Sequence, residues 1–194
     1  MGLQYNLETT QPSAEPKMAH YMKGVVFSLA YEDIIGQDYL ERVIDSFWSN
    51  LLFTYFPAKS GFGIFPWRQM GSPEGRQSHI TIEYITADTR KTVVVFENRQ
   101  PQDQEGGSVK PEEWTSAAET LYANIRSIRD NSQQSNIIYG VSTVGTHVRF
   151  YALKPEAASL EDLPGCEKDK VYELKKNETE IHNILTKLKD DTSS

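Results

Sequence analysis

The chain reads as an α/β protein with a mixed central β-sheet flanked by helices. Three observations predict this class. Two strand-like runs stand in tandem, Ile80-Thr-Ile-Glu-Tyr-Ile85 and Lys91-Thr-Val-Val-Val-Phe-Glu-Asn-Arg99. Two other segments, opening near Asp38 and Pro111, repeat apolar residues at spacings of three and four, the period of a helix with one buried face. A second pair of strand runs, Asn136–Thr143 and Thr146–Leu153, follows the second helix. Strands interleaved with one-sided helices bury their apolar faces most economically as layers on one sheet.

Residues 1–20 are polar, hold Pro12 and Pro16, and read as a flexible tail, with one domain over 21–189 and a short tail over 190–194. Lys23–Ala30 reads as a short strand or an extended lead-in. The first helix is placed at Asp38–Phe53, with Leu40, Val43, Ile44, Phe47, Trp48, Leu51 and Leu52 on its buried side. Asp38 serves as N-cap with Glu41 three residues on, and Pro57 ends the run. Phe62–Gln69 reads as a first strand, which Pro66 confines to an edge or bulge. The Ile80 and Lys91 runs then form an antiparallel hairpin through Thr86–Arg90.

Gln100–Lys110 is a polar, Gly-containing connection. The second helix, Pro111–Ile128, has Pro at its first position and Glu112 and Glu113 in its first turn, where the helix dipole favours acids. Val144-Gly145 marks a tight hairpin between the two later strands. Lys154–Lys170 reads as a long polar connection and Val171–Leu174 as an edge strand. A last helix opens at Asn177 with Glu180 and carries Ile181, Ile184, Leu185 and Leu188. The Val93 strand, the Trp114 helix and the Ile137 strand make a crossover unit that predicts a parallel pair.

The Lys91–Arg99 strand carries the candidate chemistry. It is too apolar for an edge, yet it closes on Glu97 and Arg99, which share one face because strand side chains alternate. A carboxylate beside a cation at a strand end suits a metal-assisted hydrolytic site. A salt bridge where the strand leaves the core is the plainer reading of the same residues.

Composition bounds the partners. The chain has 194 residues, 38% hydrophobic and 11% aromatic, and a formal net charge of −7. That is enough apolar material for a real core, and the acidic balance argues against a broad basic face for duplex DNA. Any nucleic-acid contact would be weak and use a local patch drawn from Arg68, Arg76, Arg90, Lys91, Arg99 and Arg149. The single cysteine, Cys166, excludes an internal disulfide framework and suits a reducing, intracellular compartment. Nothing resembles a signal peptide or a membrane span. His20, His147 and His182 lack neighbours at zinc-ligand spacing, and no phosphate-binding glycine loop opens a helix. Glu41 and Asp45 read as a solvated helix face, Trp67 with Arg68 as a half-buried aromatic or a stacking patch.

The element order resembles the PD-(D/E)XK nuclease-like superfamily, the restriction-endonuclease-like fold. The resemblance covers roughly residues 38–153. It rests on the amphipathic helix before the sheet, on Ser78-His-Ile-Thr-Ile-Glu83 followed by Val93-Val-Val-Phe-Glu-Asn-Arg99, and on the hairpin Tyr139-Gly-Val-Ser-Thr-Val-Gly-Thr-His-Val-Arg-Phe-Tyr-Ala-Leu153. In that family Pro-Asp opens the second strand and Glu-x-Lys closes the third, the acids holding Mg²⁺ and the lysine positioning water. The resemblance therefore implies Glu97 as metal ligand and Arg99 in the lysine's place. His79 stands at the Asp position, with Glu83 as an alternative, displaced first acid. Imidazole for carboxylate weakens a Mg²⁺ site and suits Mn²⁺ better. Arginine stabilises charge but cannot act as a base. Two functions follow as expectations: metal-dependent phosphodiester hydrolysis of nucleic acid, or a catalytically inactive nuclease-like domain that binds a protein partner.

Overall fold

A computed structural model describes residues 20–36, 40–68, 78–101 and 109–193. The architecture is the expected mixed α/β one. In chain order the elements are α1 (Val25–Gly36), α2 (Leu40–Tyr55), β1 (Phe62–Arg68), β2 (Ser78–Ile85), β3 (Arg90–Arg99), α3 (Pro111–Ser132), β4 (Ile138–Val144), β5 (His147–Leu153), β6 (Glu161–Asp162), β7 (Tyr172–Glu173) and α4 (Glu178–Thr192). The strands form one sheet in the order β1-β2-β3-β4-β5-β6, with β7 also paired to β5. Only β3 and β4 run parallel, as the intervening helix requires; the other pairs are antiparallel.

The two faces of the sheet have different covers. Val94 and Phe96 of β3, Ile80 and Ile82 of β2, and Val148 and Phe150 of β5 pack with Phe47, Trp48, Leu51 and Leu52 of α2. α4 joins this core through Ile181, Leu185 and Leu188. The alternate residues Val95, Ile138, Tyr151 and Leu153 meet Leu121 and Ile125 of α3. Period-two alternation thus divides the strands between two helical layers, which is why β3 is apolar on both sides. The helix sits very close to β4 at Gly140, where a Cβ would stand 2.8 Å from Leu121 Cδ2. Arg129 pins the far end of α3 by donating to the carbonyls of Leu153 (2.9 Å) and Asn136 (3.1 Å).

Pro66 lies on β1, an outer strand of the sheet, where a missing N–H disrupts no inner ladder. Gly145 turns β4 into β5 at φ 58°, a left-handed conformation that a side chain strains. Four expectations change. The Lys23–Ala30 run is not extended: most of it is the start of α1, which wedges Phe27 and Tyr31 against α2 and ties Tyr31 Oη to Glu173 Oε1 at 2.7 Å. The polar stretch before β7 contributes β6, whose two residues pair with Tyr151 and Ala152. The last helix continues to Thr192, which is buried, so residues 190–192 are not a tail. Asp45 is not on a solvated helix face but is 8% exposed and hydrogen-bonded to β3. The cap at Asp38, the side chain of Glu41 and the tail over 1–19 lie outside the described residues.

Candidate functional site

The last turn of pleat on β3 sends Glu97 and Arg99 toward α3 and Asn98 toward α2. Each direction meets polar partners, so the strand ends in two back-to-back polar clusters.

On the α3 side, Glu97 is fully buried. Its Oε2 accepts from Asn124 Nδ2 of α3 at 3.1 Å, and its Oε1 lies 3.6 Å from Arg99 Nε. Arg99 in turn donates to Ser116 Oγ at 2.9 Å and to the Thr120 hydroxyl, both on α3. The helix therefore lies across the carboxylate like a cover, anchored by the residues that flank it. Register adds neighbours on the same face. His79 of β2 is the cross-strand partner of Glu97, Ser142 of β4 is its partner on the other side, and Arg149 of β5 is opposite Ser142. A row of polar side chains thus crosses four strands: His79, Glu97, Ser142, Arg149. Burial lowers the His79 pKa, so its ring is held neutral.

On the α2 side, Asn98 Nδ2 donates to Asp45 Oδ1 at 2.8 Å, and Thr143 Oγ1 donates to Asn98 Oδ1 at 2.9 Å. All three residues are buried. The amide uses its donor on one helix and its acceptor on the neighbouring strand, which closes the chain of bonds.

The structure brings three of the four expected site residues together and leaves the fourth aside. Glu97, Arg99 and His79 are neighbours. Glu83 pairs with Thr92 across the hairpin, beyond a register shift at Ile82/Glu83. It lies four positions along β2 from His79, a rise of about 13 Å. Its carboxylate is ion-paired with Arg90, whose guanidinium lies 4.8 Å from the centre of the Phe65 ring. Glu83 therefore does not share a coordination shell with Glu97.

Nor do the residues present fit Mg²⁺ or Mn²⁺. Hard divalent cations take six or more oxygens, usually several of them water, around one or two carboxylates. Glu97 is 0% exposed beneath α3 and faces a guanidinium, which leaves neither the oxygens nor the space. Among the described residues no three His, Cys, Asp or Glu side chains gather as a metal group. The cations expected for a phosphate patch are engaged as well. Arg90 holds Glu83, Arg149 holds Asp162 (3.2 Å) and Asp169 (2.8 Å), and Lys91 lies over the Tyr84 ring. The side chains of Arg68 and Arg76, and with them the Trp67 patch, lie outside the described residues.

Sequence reasoning did not find Asn124, Asn98 or Tyr151 as partners in these clusters. The alternation of His147–Leu153 was a usable signal for Arg149 and Tyr151, since it puts both opposite the apolar Val148 and Phe150. Nothing local marks Asn124, because its role depends on where α3 lands. No protein-family model, no curated protein and no solved structure matches the chain. Its function is therefore read from this geometry. No helix among the described residues is long and apolar enough to cross a membrane.

Proposed function

We propose that this chain is a nuclease-like domain that works as a protein-interaction module and not as a phosphodiesterase. The observation that carries the reading is the state of Glu97. A carboxylate that is closed off from water, held by Asn124 and set beside Arg99, is a structural ion pair. A metal ligand must instead present open oxygens to an ion, its waters and a phosphate. The order of one helix, three antiparallel strands, a second helix and a parallel strand keeps the nuclease-like framework in view. The substitution of Arg99 for lysine then acquires a physical sense. A planar guanidinium can hold Glu97 and two hydroxyls of α3 at once, which a lysine ammonium does less well. The net charge of −7 also favours a neutral or basic protein partner over a polyphosphate.

Calorimetric titration with Mg²⁺ and Mn²⁺, beside cleavage assays on single- and double-stranded DNA and RNA, tests this. The expected result is no saturable heat and no cleavage for wild type or for Glu97→Gln, which keeps the side-chain shape. Metal-dependent cleavage that Glu97→Gln abolishes while the fold persists would restore the nuclease.

A further inference from the structure

α1 carries more apolar surface than its place in the fold uses. Ser28, Glu32 and Asp33 are its only polar side chains, so apolar residues surround the helix instead of keeping to one stripe. Phe27, Tyr31 and Ile34, spaced by four and three, turn inward to the core shared with α2. Val25, Val26 and Leu29 turn the other way and are 72%, 63% and 61% exposed. We infer that this outer stripe is the contact between two copies of the chain, packed as an antiparallel pair of α1 helices about a two-fold axis. α1 lies on the α2 side of the sheet and Glu97 on the α3 side, so the inference stands apart from the reading of Glu97.

The outward residues are ordered along the chain, and the order is self-complementary. Exposed Lys23 stands just before the helix, Val25, Val26 and Leu29 follow, and exposed Glu32 and Asp33 close the stripe. Lys23 lies three residues before Val26, and Glu32 lies three residues after Leu29. A copy laid antiparallel with Val26 opposite Leu29 therefore also sets Lys23 opposite Glu32, with Asp33 beside it. The two-fold axis makes each contact twice. A parallel copy would set acid against acid. Glu32 lies 3.8 Å from Lys175 of its own chain, but the two side chains are 61% and 60% exposed, so that bridge holds it only weakly and leaves it able to meet a second cation.

Other occupants fit less well. α1 has no Lys or Arg, and its outward acids repel an anionic bilayer. A strongly basic partner would bring charge against Val25, Val26 and Leu29, where no acid stands. Size agrees with a second copy as well. Val25, Val26 and Leu29 leave roughly 250 Å² of apolar surface open on each copy. Doubled and rimmed by the charged ends, the contact reaches about 1,000 Å², the lower bound for a specific interface. The expected dimer is therefore reversible, with a dissociation constant in the micromolar range.

Sedimentation equilibrium of the full chain at low salt, up to about 100 μM, tests this. The expected result is a monomer–dimer equilibrium. Leu29→Glu should weaken it about tenfold or more, whereas the same change at Ile137, an exposed apolar residue next to β4, should alter it by less than about twofold. Lys23→Glu and Glu32→Lys should each weaken it about fivefold or more. An equimolar mixture of these two variants should recover the wild-type affinity, because each chain then supplies the charge the other needs. Circular dichroism checks that every variant is folded. Flotation with phosphatidylcholine–phosphatidylserine vesicles should leave the protein unbound.

Five results would overturn the inference. The chain stays monomeric over the whole range, or Leu29→Glu and Ile137→Glu lose equally. The two charge variants dimerise as wild type does, or their mixture is no tighter than either alone. Vesicle binding that Leu29→Glu abolishes would assign the stripe to a membrane. A mixture tighter than wild type would mark a parallel pair and overturn the antiparallel geometry.

Discussion

Two polar clusters sit back to back at the end of β3, and they are built on opposite principles. On the α2 side, Asp45, Asn98 and Thr143 form a closed chain in which one amide spends its donor and its acceptor on neighbours. On the α3 side, charged Glu97 and Arg99 lie beneath a helix, and on the same face Ser142 Oγ, Arg149 Nε and the nearby Tyr151 Oη have no hydrogen-bond partner among the described residues. Adjacent residues of one strand, Glu97 and Asn98, thus serve a charged cluster and a neutral one. The difference teaches that a charged strand end is no mark of catalysis by itself. What matters is whether the structure leaves the charge open, and here it is covered.

The comparison can be broken most severely at Glu97. Glu97→Ala leaves Arg99 beside an empty space under α3 and should destabilise the fold by about 3 kcal/mol, the low end for a buried pair because Arg99 is partly exposed. Urea denaturation measures this, and an unchanged or increased stability would mark Glu97 as a strained functional carboxylate instead. Asn98→Ala removes the bridging amide of the neutral cluster and should cost about 2 kcal/mol by the same measurement.

Neighbouring hydroxyls sharpen the contrast. Thr143→Val loses the bond to Asn98 and should cost about 1 kcal/mol, whereas Ser142→Ala removes a hydroxyl with no partner among the described residues and should be neutral or slightly stabilising. Equal losses at the two positions would erase the distinction between the closed and the unmet cluster.

The smallest effect is in pH. His79 has a folded pKa below its ordinary value of about 6.5, because burial disfavours the charged ring. Between that lowered value and 6.5 the unfolded chain binds the proton and the folded chain does not. Stability therefore rises with pH through this window and falls as pH drops from 7 toward 5. Thermal melts of His79→Gln over this range should show a shallower decline than wild type, and parallel profiles would count against the neutral, desolvated ring.

Much of this was legible from residues alone, and the reason is local. The strand-like runs of β2 and β3, the alternation in β5, the helical spacing from Leu40 and from Trp114, Pro111 at a helix start and Gly145 at a turn are each decided within a few residues by dihedral preference and burial. Pro66 limited β1 to an edge or a bulge, of which the sheet order shows the edge, and the placing of Glu97 with Arg99 on one face followed from the pleat. α1 escaped because Val25, Val26 and Phe27 favour strands locally, while the contacts that hold the helix come through Phe27 and Tyr31 from α2 and from Glu173, far along the chain. The tertiary structure alone decided what lies over Glu97. The pleat sets that side chain on a face but is silent on which helix covers the face. The docking of α3 at Gly140, between residues distant in sequence, turned a candidate metal ligand into a buried ion pair.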